Sequence, residues 1–226
     1  VENSSNISAK ENLNTKNFSN TGLVQVNDKI EVLGNVNNTG EILTNNSFTA
    51  KDVKTTGKLI SKDNINVSNL ENSGVITSNN KLNIDGKLNN AGEIQITDNI
   101  VVNGNVENTG EILTNGKFTA KDISSKKLVA LKGISVNNLK NDEIIATNEN
   151  LDIAGNFENK GKVSTNKSLN IAGELKNSGD IQTLNNISIK KNALNKGNIL
   201  TNGFFTTKDL KNEKVLSAKD SITVNK

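Results

Sequence analysis

The chain has 226 residues, 33% of them apolar and only 3% aromatic, and its 27 Lys against 24 acidic residues leave a net charge of +3. That apolar share falls well short of an ordinary globular domain. With no His and no Cys, disulfides, thiolate or imidazole metal centres and the usual nucleophile–base dyads are ruled out. The Lys residues are scattered and have no aromatic residues between them, which argues against nucleic-acid binding. No apolar run approaches the length of a membrane-crossing helix, so no membrane span is expected.

So polar a chain would be disordered if its apolar residues were placed at random. They are not. The pattern apolar-x-Asn-x-Gly-x-apolar opens with Val1, Asn3, Ser5 and Ile7 and returns along the whole chain. Its Gly-equivalent positions are Ser5, Gly22, Gly40, Gly57, Gly74, Gly92, Gly110, Lys127, Glu143, Gly161, Gly179, Gly197 and Lys214. These are 13 units whose spacing is near 17.4 residues, since 214 − 5 = 209 residues make 12 steps.

Two residues after each of these positions stands an aliphatic residue, including Ile42, Ile76, Ile94, Ile112, Val129, Ile145, Ile181 and Ile199. Two more apolar positions follow about eight and ten residues on, as in Leu82 and Ile84. Spacing by two is the strand period, so each unit predicts short strands separated by Gly, Asn, Asp and Ser turns. A helical solenoid fails. Apolar residues two apart fall on different helix faces, and Gly, Asn, Thr, Val and Ile disfavour helix. A leucine-rich repeat fails on period and on its missing core motif.

One unit cannot bury its own apolar side chains, but stacked units bury them jointly. The expected fold is all-β: a right-handed parallel β-helix of about 13 coils with a period of 17–18 residues, residues 1–226 forming one repeat segment excised from a longer array. The handedness extends the general rule for parallel crossovers. Thirteen coils at about 4.8 Å predict a rod of roughly 60 Å.

A longer period overlies the short one. GEILTNNSFTAKDV begins at Gly40, GEILTNGKFTAKDI at Gly110 and GNILTNGFFTTKDL at Gly197. In these units Phe48, Phe118 and Phe205 replace a Leu or Ile, and Ala50, Ala120 and Thr207 sit two residues later. A larger residue beside a smaller one conserves volume, so both positions are expected to point inward. The predicted core therefore includes Ile42, Phe48, Ile76, Ile94, Ile112, Phe118, Ile145, Ile181, Ile199 and Phe205.

Two residues before the Gly-equivalent position stand Asn3, Asn20, Asn38, Asn72, Asn90, Asn108, Asn141, Asn159, Asn177, Asn195 and Asn212, with Thr55 and Ser125 as the exceptions. Codon bias cannot place Asn in phase. The expected setting is a turn in which Asn takes the left-handed conformation. There the amides either stack as a hydrogen-bonded ladder or cap a solvated turn. Asp52, Asp122 and Asp209 mark the long repeat. They lie four or five coils apart, too far to share one Ca²⁺, and are read as turn residues. No catalytic residue, metal ligand or cofactor site is expected.

The motifs Leu88-Asn89-Asn90-Ala91-Gly92-Glu93-Ile94 and Leu82-Asn83-Ile84-Asp85-Gly86 resemble the repeats of filamentous-haemagglutinin-type exoproteins, along essentially the whole chain. That family includes adhesins, haemolysin-like proteins and contact-dependent growth-inhibition proteins. The resemblance implies two-partner secretion through an outer-membrane transporter and a place on the bacterial cell surface. It implies a β-helical filament that mediates adhesion to a host or neighbouring-cell surface protein or glycan, or that presents a distal binding or toxin domain. The family's N-terminal secretion domain and C-terminal effector domain are not seen in these residues. The rival expectation is a carbohydrate-active, pectinase-like β-helix enzyme, which needs paired carboxylates in a cleft built by loops. The near-constant coil steps leave no room for large loops.

Overall fold

A computed structural model describes residues 1–225, and none of them is helical; hence no helix is long and apolar enough to cross a membrane. The chain is an all-β parallel solenoid of about 13 turns with a period of about 17 residues. It divides into two compact units, Val1–Gly116 and Lys117–Lys226.

In the first unit a typical coil has three short strands, such as Phe18–Asn20, Leu23–Val26 and Ile30–Val32. Each pairs in parallel with its counterpart one coil away, as in Leu59↔Ile76, Ile76↔Ile94 and Ile94↔Ile112. The coil from Leu88 sends six side chains inward: Leu88, Asn90, Ile94, Ile96, Ile100 and Val102. Their alternation with outward residues is the two-residue strand period. Stacking sets apolar residues on apolar ones in the columns through Leu88, Ile94 and Ile100, whereas Ile96 lies between Ser78 and Thr114, and each buried Leu or Ile contributes about 1.5–3 kcal/mol.

The second unit repeats this plan, with Ile145↔Val163, Val163↔Ile181 and Ile181↔Ile199 in register. Its first coil carries a register shift. Ser125 pairs with Asn141, but Lys127 pairs with Ile144 and Leu128 with Ile145. The turn after Ser125 is therefore one residue shorter than the turn after Asn141. This corrects one inward assignment: Leu128 is fully buried, and Val129 lies on the outer side of the strand, half-buried.

The ten residues read as core are all buried, from Ile42 and Phe48 to Ile199 and Phe205, none above 1% exposed. Ala50 and Ala120, beside Phe48 and Phe118, are buried too, as is Thr207 beside Phe205.

The repeat glycines serve close approach. A Cβ on Gly92 would run into the carbonyl oxygen of Gly74 in the coil before it. Only Gly133 has a positive φ, of 108°, and no other described residue does. The expected left-handed setting of the in-phase asparagines is thus incorrect. Asn20, Asn38, Asn72 and Asn90 are the last residues of strands. Strand pairing on both sides holds that backbone extended, so the asparagine is chosen for what its amide does inside.

Candidate functional site

Asparagine is mostly an exposed residue type, yet Asn20, Asn72, Asn141, Asn159 and Asn195 are 0% exposed and Asn38, Asn90, Asn108 and Asn177 only 2%. Asn3 is buried at 8%, and Asn212, in the last coil, is exposed. A buried amide costs free energy unless its donors and acceptor are matched.

They are matched by stacking. In the first unit Asn3 Nδ2 donates to Asn20 Oδ1 at 2.7 Å and Asn20 Nδ2 to Asn38 Oδ1 at 2.8 Å. Asn38 Nδ2 then donates to the hydroxyl of Thr55 at 3.1 Å. A second run goes from Asn72 to Asn90 at 2.7 Å and from Asn90 to Asn108 at 2.8 Å. In the second unit the run Asn141, Asn159, Asn177, Asn195, Asn212 is joined by bonds of 2.7, 2.7, 2.8 and 2.7 Å. The same Nδ2 group also serves backbone carbonyls: Asn90 Nδ2 donates to Gly92 O and to Glu111 O, both at 3.1 Å. The amides form a ladder and do not cap a solvated turn.

A second polar column escaped the sequence reading. Thr44, Ser61, Ser78, Thr114, Thr147, Thr165, Thr183 and Thr201 are all buried. All but Thr147 donate their hydroxyls to turn carbonyls, as Ser61 Oγ does to Asn46 O at 2.7 Å and Ser78 Oγ to Asp63 O at 2.6 Å, while the Thr147 hydroxyl accepts from the Glu149 N–H at 3.2 Å. The signal was present: each stands four residues after a Gly-equivalent position, or two after the inward aliphatic. A hydroxyl residue at that place does not by itself announce burial, since Ser and Thr are mostly exposed residue types.

The acidic residues of the long repeat sit at corners. Asp52 Oδ1 accepts from Asn69 Nδ2 at 2.7 Å. Asp122 Oδ1 accepts from the Asn138 N–H at 3.1 Å, from Asn138 Nδ2 at 2.8 Å and from Asn137 Nδ2 at 3.0 Å. Burial pushes the Asp122 carboxyl up, but the hydrogen bonds from Asn138 and Asn137 and the charge of Lys121 together hold it below its ordinary value. Among the described residues no group of three or more acidic side chains is placed to hold a metal ion.

The outer surface carries shallow open grooves. One in the first unit is lined by Asp52, Lys54, Asn69, Glu71 and Lys87. Its carboxylates are engaged, Asp52 by Asn69 and Glu71 by Lys54 at 2.7 Å. One in the second unit is lined by Ser135, Asp152, Asn170, Ser188 and Lys190, with Asn170 Nδ2 bonded to Asp152 at 2.8 Å. A third holds Glu174 and Asp209. They stand in one column of corners two coils apart, with Asn192 between, so their backbones are about 9.6 Å apart at the strand spacing.

No family model matches the chain, and neither a curated protein nor a solved structure is similar enough to count as a match.

Proposed function

We propose that this chain is a structural and adhesive shaft of a secreted bacterial surface filament, built to hold a distal binding or toxin domain away from the cell. The observation that carries this reading is the uniformity of the interior. Coil after coil places the same aliphatic and amide columns in register, with nearly constant steps through most of the chain. A solenoid of that kind gains reach by adding coils and gains stiffness from neighbour-to-neighbour packing. The motif Leu88-Asn89-Asn90-Ala91-Gly92-Glu93-Ile94, with its resemblance to filamentous-haemagglutinin-type repeats, supplies the secreted, cell-surface part of the reading.

The test is a length change in whole coils. Residues 40–109 span four coils between two copies of the GEILTN motif, and their deletion keeps the repeat in phase. The chain, displayed on a cell between an anchor and a fluorescent reporter, should lose about 19 Å of standoff on that deletion, four coils at about 4.8 Å. An unchanged standoff overturns the shaft reading. Release of reducing ends from a polygalacturonate or other glycan panel, lost on Glu174→Gln or Asp209→Asn, would favour the enzyme instead.

A further inference from the structure

The ladder has a direction. In the second unit Asn159 Nδ2 donates to Asn177 Oδ1 and also faces Gly161 O at 3.1 Å and Asp180 O at 3.4 Å. Asn177 Nδ2 likewise faces Asn195 Oδ1, Gly179 O at 3.0 Å and Asn198 O at 3.4 Å. Turning any amide over would aim its Oδ1 at carbonyl oxygens and at the next Oδ1. Every Nδ2 is therefore locked toward the following coil, and an Oδ1 must take its donor from the coil before or from the backbone of its own turn.

Asn141 lacks that donor. It is 0% exposed, its Nδ2 is placed on Asn159 Oδ1 and Lys162 O, and its Oδ1 is buried with no hydrogen-bond partner. The residue beneath it is Ser125, its Cα partner in the register. A hydroxymethyl group is shorter than the carboxamide that fills this place elsewhere. The parallel case is Asn72, which follows Thr55. There the Gly74 N–H turns in to Asn72 Oδ1 at 3.1 Å. At Asn141 the residue two on is Glu143, beside the shifted register, and its N–H does not reach the oxygen.

We infer that one buried water molecule occupies the space an asparagine carboxamide at position 125 would fill, donating to Asn141 Oδ1 and lying against the Ser125 hydroxyl. A buried acceptor locked in orientation needs a donor, and an ordered water bridging polar groups is the usual one. A high-resolution crystal structure of the chain should show a density peak about 2.6–3.2 Å from Asn141 Oδ1. In Ser125→Asn that peak should vanish, the new Nδ2 should take its place, and the unfolding temperature should rise. Absence of the peak in the parent chain, with the Glu143 N–H or Ser125 hydroxyl closed onto the oxygen, overturns the inference. So does a peak that persists in Ser125→Asn.

The chain also holds three Asn–Gly pairs: Asn103–Gly104, Asn115–Gly116 and Asn202–Gly203. In such a pair the glycine nitrogen can attack the asparagine Cγ, expel ammonia and form a succinimide, which water opens to aspartate or isoaspartate. The attack requires the glycine N–H to give up its proton. Gly116 N donates to Thr114 Oγ1 at 3.0 Å and Gly203 N to Thr201 Oγ1 at 3.3 Å, and both glycines are buried. Gly104 is half-buried, its N–H makes no hydrogen bond, and Asn103 is exposed. The geometry points to Asn103 as the site of spontaneous deamidation in the folded chain. Asn103 follows Val102, which pairs with Ile84, so it stacks over Asp85. The product sets two carboxylates side by side, where like charges repel. Site-resolved peptide mass spectrometry after incubation in mildly alkaline buffer should show Asn103 converting several-fold faster than Asn115 or Asn202. The three rates should converge in the urea-unfolded chain. Equal rates in the folded chain, or a faster Asn115 or Asn202, overturn the assignment.

Discussion

Asn72 and Asn90 hold the same place in successive coils, and the Nδ2 of the first lies 2.7 Å from the Oδ1 of the second. That bond ties coil spacing to side-chain chemistry: strands pair about 4.8 Å apart, a distance one carboxamide spans to reach the next.

Removing one rung should therefore be costly. Asn90→Ala deletes donors to Asn108, Gly92 and Glu111 and takes the Oδ1 acceptor from the Asn72 Nδ2, which keeps only the carbonyls of Gly74 and Glu93. The expected loss is about 1–3 kcal/mol. Asn89→Ala, at the exposed neighbour, should stay within about 0.5 kcal/mol. Urea unfolding of the two variants side by side checks this, and equal shifts would remove the ladder as a source of stability.

The glycine column makes a steric prediction. Gly92→Ala puts a methyl group into the Gly74 carbonyl, so neighbouring coils must separate or shift register. The cost should be at least the 1–3 kcal/mol or so of an overpacked core, although alanine favours ordered backbone in general. Loss of amide protection in the strands around Ile76 and Ile94, followed by hydrogen exchange, would report the local opening.

The Phe118 and Ala120 pair should behave as a unit, since both are buried in one strand. Ala120→Ile alone overfills the space beside Phe118 at a cost of about 1–3 kcal/mol. Combining it with Phe118→Leu recreates the pairing of coils such as Leu82 with Ile84 and should recover most of that loss. A double-mutant cycle by thermal unfolding measures the coupling, and strict additivity would contradict a shared volume.

Acid should weaken the Asp122 corner in a defined window. Its folded pKa lies below the ordinary 3.8. The unfolded chain therefore binds the proton first, and the stabilisation is fully present above that value. It is lost as pH falls through the depressed folded value. Asp122→Asn should accordingly be less stable than the parent at neutral pH, with the gap closing in acid. Unfolding midpoints across an acid titration test the sign.

The coil is legible in the order of the residues alone. Period, strand spacing, the inward aliphatics and the in-phase asparagines are all readable because stacking forces equivalent residues into equivalent places, so tertiary order is written as one-dimensional repetition. Three matters were decided only in the folded chain. Asn72 and its equivalents lie in strands, most of them at the strand end, with their amides inside, because pairing on both sides holds the backbone extended. The Thr44 column is buried because its hydroxyls find carbonyl partners across the corner, contacts that local sequence does not encode. Leu128 displaces Val129 from the interior because the turn after Ser125 is a residue short, and strand alternation then turns every following side chain to the opposite face.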